Sequence, residues 1–272
     1  MSLIHWYPLI GDLQDKITGE FLSGSYVGTT DGKVGKCLST AAKHDSTFGL
    51  DAWNPVNSSV SMSCWVKFDY AATKAYFDTI SSNYETPTGN IIGAHTYGGL
   101  SLNWKGDSLT NFTRIDAFAH IRGTGANVGT GSFVVPDGVW THLTLTADYT
   151  TKTLKFYANG TYISQASYSG LTDIVTPSGK IFGINKNWVY GGNGPGLSIA
   201  MKVNDVRLYD HTLSELEVRE LSKALMLHYS FNQLYTTNIC NWRDTSLISM
   251  GGHGGTKTYA DGVLTLTARD GW

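Results

Sequence analysis

Between Trp140 and Ala147 polar and apolar residues alternate one for one. Leu143, Leu145 and Ala147 fall on one side, and His142, Thr144 and Thr146 on the other. Strand side chains change face at every residue, so the run predicts a sheet with unlike faces. Leu154, Phe156 and Ala158 repeat the pattern against Lys155, Tyr157 and Asn159. Asn159-Gly160 then supplies the two positive-φ positions of a type I′ turn. Residues 136–165 therefore predict an antiparallel meander.

The same alternation recurs along the chain. In 60–69, Met62, Cys64 and Val66 oppose Ser61, Ser63, Trp65 and Lys67; in 115–122, Ile115, Ala117 and Ala119 oppose Asp116, Phe118 and His120. Further strands are predicted at 35–40, 180–186 and 197–210, and around a Gly98-Gly99 turn in NIIGAHTYGGLSLNW at 90–104. FDTISS at 77–82 precedes that hairpin as a further short segment. Pro8 marks the opening apolar run, 3–10, as an edge strand, because proline donates nothing to a ladder. Residues 213–223 break the pattern. Leu213, Leu216, Val218 and Leu221 recur at helical spacing, with Ser214 as N-cap and Glu217 three residues on. About twelve strands and one short helix predict an all-β, two-sheet antiparallel sandwich over 1–222. Residues 223–272 read as the start of a second β unit or an extension, in which DGVLTLTA is a strand without an evident partner.

Composition narrows the class. Among 272 residues, 12% are aromatic and only 15% charged, with 31 glycines, which favours short strands joined by tight turns over disorder. A net charge of −2 gives no reason to expect a nucleic-acid partner. No apolar run is long enough for membrane insertion. The start, MSLIHWYPLIGD, lacks the layout of a secretory signal. Three widely spaced cysteines, Cys37, Cys64 and Cys240, suit a reducing compartment better than a disulfide scaffold or a metal site.

Several of these segments resemble the laminin-G-like, concanavalin A-like jelly-roll family. The resemblance rests on Gly35-Lys36-Cys37-Leu38, on SMSCWVKF at 61–68, and on Trp140, His142, Asp148, Tyr157, Asn159 and Gly160 in the meander. It rests also on Asp205-Val206-Arg207-Leu208-Tyr209 followed by Leu213-Ser214 and Glu217. It spans nearly all of 1–222 and implies the fold, whereas the fold itself hosts lectins, adhesion modules, glycanases and virion proteins. LYDHTLSELEVRELSKAL followed by LHYSF is similar to multidomain proteins of tailed bacteriophages. That similarity implies a non-enzymatic virion module of a fibre or appendage, folded in the host cytoplasm. Its partners would be other virion proteins and host-surface carbohydrate, and it would be a homo-oligomer. The alternative is a lectin-like accessory domain of a bacterial surface or secreted protein, and a less favoured one is a glycan-cleaving enzyme.

Candidate chemistry follows from residue type. Sugars stack on aromatic rings and are read by amides and hydroxyls, which singles out Tyr97 and Trp104 around one hairpin. Trp188, Tyr190 and Asn193 in NWVYGGNGPG complete that set, while Trp65 and Trp140 read as core. The resemblance also implies a rim Ca²⁺, for which Asp12, Asp31, Asp51, Asp148 and Asp205 are candidates, each competing with an ordinary turn-capping role. Glu215, Glu217 and Glu220 resemble a glycanase carboxylate set only superficially. On a helix, residues i and i+2 do not face each other, so a solvated face is preferred. His142 lacks a framed serine nucleophile, and GTGANVG at 123–129 lacks a following helix to bind phosphate.

Overall fold

The computed structural model describes residues 2–22, 28–29, 31–40, 48–50, 58–79, 87–93, 99–108, 111–123, 126–171, 182–185 and 199–223, and four strands beyond them, 229–230, 237–238, 256–260 and 263–267. The chain forms two compact units, Met1–Lys223 and Ala224–Trp272. In the first unit the elements run β1 (Leu3–Tyr7), β2 (Gly28–Thr29), β3 (Cys37–Thr40), β4 (Phe48–Leu50), β5 (Val60–Phe68), α1 (Tyr70–Phe77), β6 (Thr88–Gly93), β7 (Gly99–Gly106) and β8 (Ile115–Gly123). They continue as β9 (Ala126–Gly129), β10 (Phe133–Val134), β11 (Thr141–Asp148), β12 (Thr153–Ala158), β13 (Thr161–Ser167), β14 (Phe182–Ile184), β15 (Met201–Tyr209) and α2 (Glu215–Leu221).

Two antiparallel sheets pack face to face. An eight-stranded sheet runs β13-β12-β11-β5-β15-β3-β2, with β1 also on β15; a seven-stranded sheet runs β10-β8-β7-β6-β14-β4, with β9 on β8. The alternation sets the inner faces: Met62, Cys64, Val66, Leu143 and Leu145 meet Leu102, Trp104, Ala117 and Ala119 in one core. The predicted meander is present as β11 to β13, and Asn159 (φ 50°) and Gly160 (φ 77°) adopt the left-handed turn. Gly160 is needed for space as well, because a Cβ there would overlap the Ser222 hydroxyl behind α2.

The middle of the polar face of the eight-stranded sheet is buried too, which alternation does not predict. Ser61, Ser63, Thr144, Thr146 and His142 are at most 1% exposed. At one end the helix predicted at 213–223 covers this face, packing Leu213 and Val218 on Tyr157 and Tyr209. Ser214 and Glu217 form the reciprocal capping box that begins it. Ser61 Oγ donates to the His211 carbonyl (2.7 Å) and accepts from Leu213 N–H (2.9 Å), tying the helix approach to the sheet. Towards the other end the segment 31–36 lies over the face. Val34 N–H donates to Asn204 Oδ1 (2.9 Å), and Lys33 Nζ sits 4.4 Å from the Trp65 ring.

One element departs from the reading of the sequence. Tyr70–Phe77 is a helix, so FDTISS begins at a helix end. Asp69 caps it through Ala72 N–H, and Thr73 and Phe77, four residues apart, are its buried side. The second unit contains the hairpin-like pairs β16 (Tyr229–Ser230) with β17 (Thr237–Asn238) and β18 (Thr256–Ala260) with β19 (Val263–Thr267). The strand of DGVLTLTA thus has a partner, Thr256–Ala260, whose single aromatic and three hydroxyl or charged positions gave little apolar signal.

Candidate binding cleft

Strand register assembles one polar row across four strands. Lys202 on β15 is the Cα partner of Ser39 on β3 and of Lys67 on β5. Thr141 on β11 is the partner of Val66, so Trp140 falls opposite Lys67 in the same register. Residues directly opposite share a face, and the row reads Ser39, Lys202, Lys67, Trp140. Asp31 closes it from above. Its carboxylate lies 2.6 Å from Lys202 Nζ and 3.7 Å from Lys67 Nζ, and its carbonyl accepts from Trp140 Nε1–H at 3.2 Å.

The two lysines line a cleft of about 310 Å³ with Ser39, Thr40, Asp69, Asp137 and Gly138. Its walls are fixed by main chain. Asp69 N–H donates to the Ala200 carbonyl (3.0 Å), and Gly138 N–H to that of Phe68 (3.0 Å). Asp69 Oδ1 accepts from Ala72 N–H and Asp137 Oδ1 from Tyr70 N–H, both at 2.9 Å. Among the described residues, the second oxygen of each carboxylate carries no hydrogen bond. The cleft thus combines carboxylate acceptors with ammonium and hydroxyl donors, and the half-buried indole of Trp140 lies outside its lining, beside Lys67 in the register. That set can bind hydroxyls and stack on an apolar ring face.

The cleft adjoins Asn185 and Ile199 through Thr40. Asn185 follows β14 and Ile199 precedes β15. Asn185 Nδ2 donates to the Ile199 carbonyl (2.9 Å) and to Thr40 Oγ1 (3.0 Å), and its Oδ1 accepts from Ile199 N–H (3.3 Å). Thr40 also lines the cleft. Asn185 and Ile199, which flank residues 186–198 in sequence, are therefore joined to each other at the cleft wall. Trp188, Tyr190 and Asn193, with Tyr97 and Asp51, lie outside the described residues.

Other sequence candidates have structural positions. Trp104 is fully buried, its ring stacked on Phe77 with centroids 6.1 Å apart, so it is core and presents no surface to a ligand. Trp140, read as core, is half-buried at the row's end, whereas Trp65 is buried beneath Lys33 on the outer side of the sheet. Asp12 pairs with Lys16 (2.9 Å), and Asp148 accepts from Thr150 and Thr151 N–H. Asp205 is buried in a bulge at φ 55° and accepts from Trp6 Nε1–H (2.7 Å) and Arg207 Nε–H (2.8 Å). These three aspartates belong to separate local networks, and no described residues form a group of three or more metal-ligating side chains. His142 lies tilted at 53° against Trp65 with centroids 5.1 Å apart and is 1% exposed; burial, more than Arg207, holds its pKa down at about 3. Cys64 is a buried free thiol and Cys37 is buried. Glu217 is consumed by its capping box, and Glu215 points to Lys155 at 3.9 Å. The residues that sequence reading missed are Lys67, Lys202, Ser39, Asp69 and Asp137.

A family model described as the concanavalin A-like lectin/glucanases superfamily matches residues 39–219. No curated protein matches the sequence. Among solved structures, the binding domain of Paraclostridial Mosquitocidal Protein 1 is similar with a TM-score of 0.60 at 15% identity, over 85% of this chain and 52% of that one. Domain 4 of AbnA, a GH43 extracellular arabinanase from Geobacillus stearothermophilus in complex with arabinotriose, is similar with a TM-score of 0.53 at 19% identity, over 81% and 98%. The botulinum neurotoxin serotype D ligand binding domain in complex with N-acetylneuraminic acid is similar with a TM-score of 0.56 at 13% identity, over 85% and 52%. The chain thus spans about half the length of the toxin domains and nearly all of the arabinanase domain.

Proposed function

We propose that this chain, which belongs to the concanavalin A-like lectin/glucanases superfamily, is a non-catalytic carbohydrate-binding module. Its ligand lies in the cleft beside Lys67 and Lys202. The observation that carries the reading is the row Ser39, Lys202 and Lys67, which brings donors to a cleft that also holds Asp69 and Asp137, with the Trp140 indole next to Lys67 in the same register. A cleft of about 310 Å³ suits about one or two sugar rings. Two similar folds were solved with an oligosaccharide or a sialic acid bound, which supports the class without naming the sugar. A binding role is also supported by the carboxylates of α2, which are spent on capping and pairing instead of flanking a cleft. A glycan array probed with the whole chain tests the reading. Binding that Trp140→Ala weakens is expected. Release of reducing ends from a bound glycan would overturn the non-catalytic part.

The setting we infer is an adhesion structure of a tailed-phage particle, in which the module engages host-surface glycan as part of a homo-oligomer. It is supported by the similarity of 208–231 to such multidomain proteins. Mass spectrometry of purified particles tests it, and detection of the protein only on bacterial surfaces or in culture medium would replace it with the accessory-domain alternative.

A further inference from the structure

Like charges placed directly opposite each other on adjacent strands repel. Lys67 and Lys202 are such a pair, and their ammonium groups share one carboxylate oxygen, Asp31 Oδ2, at 3.7 and 2.6 Å. Asp31 belongs to neither of those strands. It comes from the covering segment 171 residues before Lys202 and its side chain is 48% exposed. An ion pair that exposed contributes little to stability. The segment itself is held by other bonds: Trp140 Nε1–H to the Asp31 carbonyl, Gly32 N–H to the Gly35 carbonyl (3.0 Å), and Val34 N–H to Asn204. The carboxylate can therefore turn away while the backbone stays in place. The cleft is also lined by Asp69 and Asp137, whose oxygens suit hydroxyl donors and repel anions. The cleft therefore carries both charge signs, ammonium groups and carboxylates.

We propose, building on the carbohydrate-binding reading, that Lys67 and Lys202 form an anion-receiving subsite, that Asp31 is its resident counter-ion, and that the ligand is an acidic glycan whose carboxylate takes the place of Asp31. The sugar hydroxyls then face Asp69 and Asp137, and Trp140 borders the ring. Displacement involves no covalent step; one carboxylate leaves the two ammonium groups as another arrives.

The test uses the full chain and an array of acidic and neutral glycans that includes matched pairs: trigalacturonic acid against its methyl ester, and 3′-sialyllactose against lactose. Calorimetry on any binder follows at low and at physiological salt. The acidic member of a pair is expected to bind at least about tenfold more tightly than its neutral counterpart, with the difference shrinking as salt rises. Lys67→Gln and Lys202→Gln, which keep the aliphatic stem, are expected to abolish that preference. Asp31→Asn removes the competing carboxylate and is expected to tighten acidic binding about two- to fivefold. Circular dichroism melts confirm that each variant is folded. Equal binding of the acidic and neutral members, or weakening by Asp31→Asn, overturns the inference and leaves the carbohydrate-binding reading intact. Absence of binding across the whole array overturns both.

Discussion

Asn185 brackets Ile199, giving its amide nitrogen to the Ile199 carbonyl and accepting the Ile199 N–H on its amide oxygen. Asn185 is 1% exposed and its side chain also reaches Thr40, so it joins the residue after β14 and the segment before β15 to β3. Asn185 has φ 52°, which glycine also adopts freely. Asn185→Gly therefore isolates the lost hydrogen bonds. It is expected to cost about 2–3 kcal/mol in urea unfolding and to weaken glycan binding.

The two tryptophans Trp104 and Trp140 should separate stability from binding. Trp104 is wholly enclosed beside Phe77, and Trp104→Ala is expected to cost about 3–5 kcal/mol. Trp140 is half-buried beside Lys67 in the register, and Trp140→Ala should cost about 1 kcal/mol while lowering affinity about tenfold or more. Paired denaturation and binding curves on both variants check this.

Acid sensitivity should begin well above the carboxylate range. Burial holds His142 at about 3 when folded, against 6.5 when unfolded. Between those values only the unfolded chain binds the proton. The stability due to neutral His142 is complete above pH 6.5 and falls as pH drops towards 3, by about 1.4 kcal/mol per unit. Asp15 acts in a lower window. Burial would raise its pKa, but hydrogen bonds from His5, the Trp6 and Ile17 amides and Thr18 outweigh that and hold it at about 2. Its contribution is present above 3.8 and is lost as pH falls through about 2. Urea midpoints measured from pH 7 to 4 should flatten in His142→Gln relative to the parent.

Arg207 and Asp205 form a buried pair at 2.8 Å, with Arg207 also 5.3 Å from the centre of the Trp6 ring. Arg207→Met strands the Asp205 carboxylate and is expected to cost about 3–5 kcal/mol. Adding Asp205→Asn, which keeps an acceptor for Trp6 Nε1–H, should recover a large part of that loss. A double-mutant cycle by thermal or urea unfolding measures the coupling.

What could be read from the sequence was local. The β11–β13 meander needs only period-two alternation and an Asn-Gly turn, and α2 announces itself through Ser214 and Glu217. Helix α1 has eight residues and a buried side of only Thr73 and Phe77, too short a stripe to stand out. Trp104 carried a legible signal that was passed over: it shares parity with Leu100 and Leu102, and that parity places it in the core. The cleft was not legible, because Ser39, Lys67, Trp140 and Lys202 come from four strands and meet only through register. A lysine in an alternating strand looks like any solvated position until its cross-strand neighbour is known. The burial of Ser61, Ser63 and Thr144 was hidden for the same reason, since their cover comes from segments 31–36 and 211–221.

β15 pairs with β5 along one edge and divides the other between β1 and β3, with Asp205 at the bend donating its N–H to the Pro8 carbonyl. The first strand of the unit therefore waits for nearly the last. During synthesis, β1, β3 and β5 all emerge long before the strand that joins them, and their edges stay open until residue 209 has left the ribosome. Joining β1 to β15 closes a chain of about 200 residues, and such non-local pairing favours slow folding. It also sets a hard limit on trimming. A fragment ending before Tyr209 loses the seam of the eight-stranded sheet, whereas a cut after Lys223 leaves every strand of the first unit with its partner.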